Sequence, residues 1–428
     1  MSNVKVFGQI IALTRSIYLN ECSGEECYRS SFMVNQNKNS YGGLGLEWWY
    51  TTKTFDYIDR IAAVIQSTVL KYSNIDFESI KELVISALQV ACSDSSIIDL
   101  DGFLINNKET LFDIRVCIPD EFSIKIWNVI ELKLDESITD WCTLYPLSRM
   151  KVSSFHIKEL DIYVVNKFDT EYFKNIIVRF QYLKIFNPST GRFEGVGRFQ
   201  LISFNYESLI ISIDSGTLNG TKFSASIKIR AVISILTSWV NYKYPKKIMK
   251  SAQRANTHCL QVPCSNSEIK DFSSSSIGDL CPYYIRDYDI ENTEVKKILE
   301  WFSKLHDQES SSIERVYKSA HFINLALNAD GIESFVNYFV SLDALFGIRG
   351  SVEKSIVEGV KSIKGSDEWK QRTEWLFDLR NELVHGGSRY LAEWKRYEDY
   401  ISHFSSKPEI DIKELSFECL RIFVEIKN

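Results

Sequence analysis

Glu368-Trp369-Lys370-Gln371-Arg372-Thr373-Glu374-Trp375-Leu376-Phe377-Asp378-Leu379-Arg380-Asn381-Glu382-Leu383-Val384-His385-Gly386-Gly387 is the stretch that decides the fold. Leu376, Leu379 and Leu383 recur at helical spacing and predict one core-facing side. Asp378, Asn381 and His385, at positions i, i+3 and i+7, line a second and polar side. Gly386-Gly387 ends the helix, since glycine tolerates the left-handed conformation that closes a helix C-terminus. His385 then stands at the C-terminal mouth, beside the free carbonyls at the negative end of the helix dipole.

The same periodicity extends outward from this segment. Ile298, Trp301/Phe302 and Leu305 share one face; Val316, Ala320, Ile323 and Leu327 share the next, stopped by Asn328-Ala329-Asp330-Gly331. Ile332, Phe335, Phe339, Leu342 and Leu345/Phe346 form a third helix, ended by Gly347. With further helical segments over 352–363, 392–404 and 412–426, residues 289–428 read as an all-α bundle.

Upstream the pattern changes. Residues 1–50 read as strands and turns, with Met1 to Phe7 as a first strand, breaks at Asn37–Ser40 and Gly42-Gly43-Leu44-Gly45, and the aromatic cluster Trp48-Trp49-Tyr50. The glycines suit a tight turn better than a phosphate loop, because no Lys-Ser/Thr pair follows them. Two helices fit residues 55–90, on Ile58, Ile61/Ala62, Ile65 and Ile80, Leu83/Val84, Leu88. Alternation then returns between about 100 and 235: Leu160, Ile162 and Val164; Phe199, Leu201 and Phe204; Ile227 and Ile229 about Lys228. Turn chemistry punctuates it at Asn187-Pro188-Ser189-Thr190-Gly191 and over residues 214–220. Residues 241–256 are basic and 262–282 are Ser-rich with Pro263 and Pro282, so 241–288 reads as a linker or connecting segment. The basic run suits a solvated helix end better than an RNA contact. The fold class expected is therefore a multidomain α+β chain: a mainly β sensor or regulatory region over 1–240 with helical insertions, the connector, and the bundle.

At 428 residues the chain exceeds one ordinary core, and with 45% hydrophobic and 25% charged residues it has the composition of a globular protein. The apolar runs at 209–213 and 231–240 fall short of the roughly 20 residues a membrane span needs, and the start has no leader-like pattern, so a cytoplasmic protein without a membrane span is expected. Nine irregularly spaced cysteines suggest reduced thiols. His258, Cys259, Cys264 and Cys281 fit no standard zinc spacing, so no metal and no cofactor is expected. The net charge is −6, and residues 284–428, with 20 Lys+Arg against 26 Asp+Glu, hold all of the excess acid. An RNA-handling role there requires a local basic site rather than an overall field.

Arg380-Asn381-x-x-x-His385 resembles the Arg-x4-His signature of HEPN domains, in which a polar residue follows the arginine. The bare spacing is weak evidence; the helix end at Gly386-Gly387 and the flanking segments strengthen it. Arg315 through Leu327, then Glu333-Ser334-Phe335 leading into Phe339-Val340-Ser341-Leu342-Asp343-Ala344-Leu345-Phe346-Gly347, resembles the ApeA-like branch, with Asp343 where that branch commonly has Glu. The resemblance covers residues 289–428. It implies a metal-independent endoribonuclease with Arg380, Asn381 and His385 catalytic and Asp343 and Asp378 supporting. It further implies a homodimer built through the bundle, an RNA substrate (tRNA among them) and a toxin-like part in anti-phage defence. A phage-derived trigger would act on the N-terminal region. A second pair, Arg315 and His321, is one residue too widely spaced, and His321 reads as structural.

The residue types suit that chemistry. RNA cleavage without metal needs a base for the ribose 2′-hydroxyl, charge stabilisation of a dianionic phosphorane and an acid for the leaving 5′-oxygen. A histidine supplies proton transfer, an arginine braces two phosphate oxygens, and an asparagine orients either. Residues five apart on a helix diverge by about 140°, so one helix cannot close the site, and pairing of two copies would. A non-catalytic HEPN module binding a nucleotide or partner protein is the alternative, as is a plain solvated ion pair of Arg380 and His385 with Asp378 or Asp343.

Overall fold

Val6, Ile10 and Leu13, spaced four and three apart, are fully buried, and that spacing makes residues Ser2–Arg15 a helix, α1, where a first strand was expected. The computed structural model describes residues 2–21, 26–34, 44–99, 108–147, 149–179, 186–187, 192–193, 206–245, 258–264, 273–276, 280 and 284–426. The expected turns at Asn37–Ser40, Gly42-Gly43 and residues 188–191, the alternation at Phe199, Leu201 and Phe204, most of the basic run after Lys243, and Cys281 and Pro282 lie outside these residues.

Two units make up the chain. The first comprises residues 1–140 and 215–221. It contains α1, a three-stranded sheet ordered β1-β3-β2 (Ile17–Tyr18, Cys27–Val34, Leu44–Thr51), and the helices α2 (Thr52–Thr68), α3 (Phe77–Ala91) and α4 (Pro119–Ser137). α2 and α3 bury the positions expected, Ile58, Ile61, Ala62, Ile65 and Ile80, Val84, Leu88. α4 lies where strands were expected; Pro119 in its first turn and buried Phe122, Ile126, Ile130 and Leu134 set it as a helix. Asp76 caps α3 by accepting from the Ser79 amide at 3.0 Å, and the Thr217 hydroxyl donates to its other oxygen at 2.8 Å, which pins segment 215–221 into this unit.

Residues 141–214 and 222–428 form the second unit. Its sheet is ordered β12-β11-β4-β10-β7-β6 (Ser273–Ser276, His258–Pro263, Thr139–Leu147, Ser208–Gly216, Ile162–Asn166, Phe155–Ile157). Helix α5 (Thr170–Arg179) follows β7, and α6 (Leu218–Lys243) follows β10. Met150–Val152 (β5) pairs in parallel with Tyr288–Ile290 (β13), and the short strands β8 (Phe186–Asn187) and β9 (Arg192–Phe193) pair with each other. Then come α7 (Asn292–His306), α8 (Ser310–Asn328), α9 (Gly331–Phe346), α10 (Val352–Lys364), α11 (Asp367–Val384), α12 (Tyr397–Phe404) and α13 (Pro408–Ile426).

The chain is thus mixed α/β, mostly helical in its C-terminal half, and the mainly β reading of 1–240 is corrected by α1 to α6. Ile227 and Ile229 lie in α6, whose buried residues Ala225, Ile229, Val232, Ile233, Leu236 and Val240 follow helical spacing. This is the one helix, among the described residues, long and apolar enough to cross a membrane by length and composition, contrary to expectation; 67% of its apolar window is buried. It serves the core. Ile210 and Val164 of the sheet, α6 and the bundle helices belong to one continuous apolar cluster. Polar ties join α6 to the bundle: Ser234 Oγ to Ala320 O at 2.7 Å, Ser238 Oγ to Phe417 O at 3.1 Å, Asn241 Nδ2 to Glu414 Oε2 at 2.7 Å. The expected connector is therefore not a gap between cores, since β11 within it and β13 at its end pair with strands of the same unit.

Candidate active site

Ser366 starts α11, its hydroxyl accepting from the Trp369 amide, and Leu376, Leu379 and Leu383 bury the face expected of them. Arg372 anchors the N-terminal half. Its Nη1 reaches Asp411 at 2.7 Å and its Nη2 reaches Glu368 at 2.5 Å, and its guanidinium lies 4.5 Å from the Trp369 ring centroid and 4.7 Å from that of Phe404. Tyr400 and Ser406 also donate to Asp411, at 2.8 and 2.6 Å, so this buried carboxylate is fully engaged.

The C-terminal half ends as the glycines predicted. Gly386 adopts φ 77°, the Gly387 amide donates to Glu382 O at 2.8 Å and the Gly386 amide to Leu383 O at 3.3 Å. These paired bonds are those of a Schellman closure, and they leave His385 at the last helical turn with an exposed side chain. The imidazole is unspent. Of the five histidines whose side chains are described, His156 bonds Asp161 and stacks on Tyr163; His306 bonds Phe302 O and the Tyr317 hydroxyl; His321 bonds Arg230; His403 bonds Gln371 and stacks on Trp375. Among these five, only the His385 side chain has neither a hydrogen bond nor a ring partner among the described residues.

Arg380 is half-buried and donates to Asn381 Oδ1 at 3.1 Å. Its charge acts on Asp343 of α9. Burial lifts the Asp343 carboxyl above its ordinary range, against the opposing pull of Arg380 and then of Arg315. Gly347 is required beside it, because a Cβ there would lie 1.9 Å from Asp343 Oδ1. Arg315, from α8, donates to the carbonyls of Leu345 and Gly347 at 3.0 and 3.3 Å and so closes the end of α9 next to Asp343. The structure thus brings together Arg380, Asn381 and Asp343, with Arg315 added, while His385 emerges separately at the helix end.

Asp378, on the same side of the helix as Asn381 and His385, is spent on the fold. It forms an exposed ion pair with Arg396 at 2.8 Å, and Arg396 covers the Trp375 ring at 4.7 Å. His321, as expected, is tied into the fold: its Nδ1 is 2.6 Å from Arg230 Nη1, and burial first, then Arg230, lowers its pKa. Of the four zinc candidates, Cys259 is buried with its thiol pushed up to about 12 by that burial, Cys264 is partly buried against the apolar side chains of the sheet, and Cys281 lies outside the described residues. Among the described residues no three His, Cys, Asp or Glu side chains gather as a metal-binding group.

A groove of about 710 Å³ runs between α10 and α11. Lys354, Lys361, Glu353 and Glu358 line it from α10 and Lys370 and Glu374 from α11, so its charges balance. Steps of four, four, three and four residues place Lys370, Glu374, Asp378, Asn381 and His385 on one stripe of α11. Sequence periodicity could have found the stripe. The Arg315 and Arg396 contacts could not have been found, because both partners come from outside the helix. Compared with family models, curated proteins and solved structures, the chain matches none of them.

Proposed function

We propose that the second unit is a metal-independent endoribonuclease of the HEPN type, its helices α7 to α13 forming the HEPN-like bundle, with Arg380, Asn381 and His385 as the catalytic set. The observation that carries this is the unspent imidazole of His385 at a closed helix end, on the same helix as a half-buried arginine braced by Asn381. In the reaction, His385 takes the proton of a ribose 2′-hydroxyl, the 2′-oxygen to phosphorus bond forms and the bond to the 5′-oxygen breaks. The protonated His385 gives that proton to the departing 5′-oxygen, and Arg380 stabilises the extra charge on the phosphorane. Asp343 and Arg315 are positioning residues that set the side of α11 from which Arg380 works. The stripe that continues into the lysine-bearing groove offers a path for the flanking strand.

Arg380 and His385 leave α11 in different directions, one toward Asp343 and the other to the exterior, so a second copy would complete the site. A homodimer through this bundle, an RNA substrate such as tRNA and a role as a defence toxin follow from the likeness of the Arg380–His385 motif to HEPN domains. The test is incubation of the purified chain with total tRNA in chelator. The expected products end in 2′,3′-cyclic phosphate and 5′-hydroxyl. Magnesium dependence with 5′-phosphate ends would overturn the mechanism. Mixing Arg380→Ala chains with His385→Ala chains should recover part of the cleavage that neither shows alone, and full activity of a strict monomer would remove the dimer.

A further inference from the structure

A second pocket, of about 300 Å³, lies between the end of α6, the outer face of α7 and the end of α13, away from Arg380 and His385 in the sequence and on different helices. Arg421 lines it. The guanidinium sits 4.2 Å from the Tyr242 ring centroid and 5.5 Å from that of Trp239, two aromatic faces that hold it in place. The Arg421 backbone is fixed as well, its carbonyl accepting from Trp301 Nε1 at 2.9 Å. Among the described residues, no hydrogen bond or ion pair uses the guanidinium N–H donors of Arg421. Lys297 and Lys304, about two turns apart on α7, line the same pocket and are likewise without an ion pair among the described residues. Most lysines and arginines that line the first groove or anchor α11 have found a carboxylate. These three have not.

A pre-oriented guanidinium flanked by two ammonium groups is a receptor for a phosphate group, with the arginine free to make paired bonds to two oxygens. The rest of the lining narrows the class. Glu300 and Glu425 also face the pocket and reduce its charge to a small excess of cation, which disfavours a long polyanion. They can instead accept from N–H groups of a ligand that carries its phosphate and its amino donors in one small body. Trp239, 7% exposed, keeps its indole Nε1–H without a partner among the described residues, so the pocket wall holds a buried donor still unspent. The volume is at the lower end for small-ligand sites.

We propose that this pocket binds a nucleoside monophosphate, its phosphate on Arg421, Lys297 and Lys304 and its base amino group toward Glu300 and Glu425. The assignment is independent of ribonuclease activity and goes beyond it. Titration calorimetry on the full chain, with AMP and CMP, adenosine, inorganic phosphate and a short RNA oligonucleotide, tests it. AMP or CMP should bind, and adenosine and phosphate alone should bind more weakly by about tenfold or more, because each keeps only half of the contacts. The double substitution Lys297→Ala/Lys304→Ala, at exposed positions that leave folding intact, should weaken nucleotide binding by about tenfold or more, and Arg421→Gln should weaken it further. His385→Ala should leave it unchanged, which separates this site from the proposed catalytic one. Absence of nucleotide binding at millimolar concentration, binding indifferent to the lysine pair, or tighter Arg421-dependent binding of the RNA oligonucleotide would each overturn the proposal.

Discussion

The two halves of α11 carry similar residues to opposite ends. In the first half Arg372 is buried, bonded to two carboxylates and sandwiched between Trp369 and Phe404. In the second, Arg380 is half-exposed with one donor given to Asn381, and His385 stands in the open. A charge taken out of water must be paired, and once paired in the core it is committed to the fold. A charge left at a helix end with its donors free stabilises little and remains available for a ligand. Arginine on this helix is thus committed to the fold or left available according to its surroundings.

That contrast can be broken first at Asp411. Replacing it with Ala leaves the Arg372 charge buried with only the partly exposed Glu368 and should cost about 3 to 5 kcal/mol, read as a large fall in thermal midpoint. A loss under about 1 kcal/mol would show that the pair is not what anchors α11.

Gly386 tests the other end more gently. At φ 77°, with nothing within 4 Å of a built Cβ, Gly386→Ala incurs conformational strain alone, about 1 kcal/mol. Denaturant unfolding would measure it. The same change should reduce activity disproportionately if the closure aims His385, whereas a loss of activity no larger than the loss of stability would separate the two.

The smallest effect is expected at Asp343, and it has a sign. Its carboxyl is raised above the ordinary value, so in the interval above about pH 4 the unfolded chain releases the proton while the native state still holds it. Stability on this account is full below the unfolded value and is lost as pH rises through the folded one. Asp343→Asn removes that slope. Relative to the variant, the wild type should lose midpoint between about pH 4 and neutrality, and an opposite slope would mean that Arg380 and Arg315 outweigh burial.

The bundle was legible because its apolar residues recur three and four apart over long runs, as in Phe335, Phe339 and Leu342, all buried. The first half was not. Short alternations such as Val4-Lys5-Val6 and Ile227-Lys228-Ile229 fit a strand as well as one turn of a helix, and tertiary burial of Ile10, Leu13 and Val232 decides for helix. The unit boundary near Asp140 was equally hidden, because β11 joins β4 across more than a hundred residues and the core it completes has no local signature. At the site, Arg380, Asn381 and His385 were legible as a spacing. The ion pair that occupies Asp378 was not, since Arg396 reaches it from beyond the helix end.

Cleavage and unfolding measured side by side on the wild type and His385→Ala test the central claim most directly. An exposed imidazole without partners contributes within about 0.5 kcal/mol to stability, so the variant should unfold at nearly the wild-type midpoint and cleave no RNA. A variant that keeps full cleavage, or one that loses cleavage only because it no longer folds, would contradict the account.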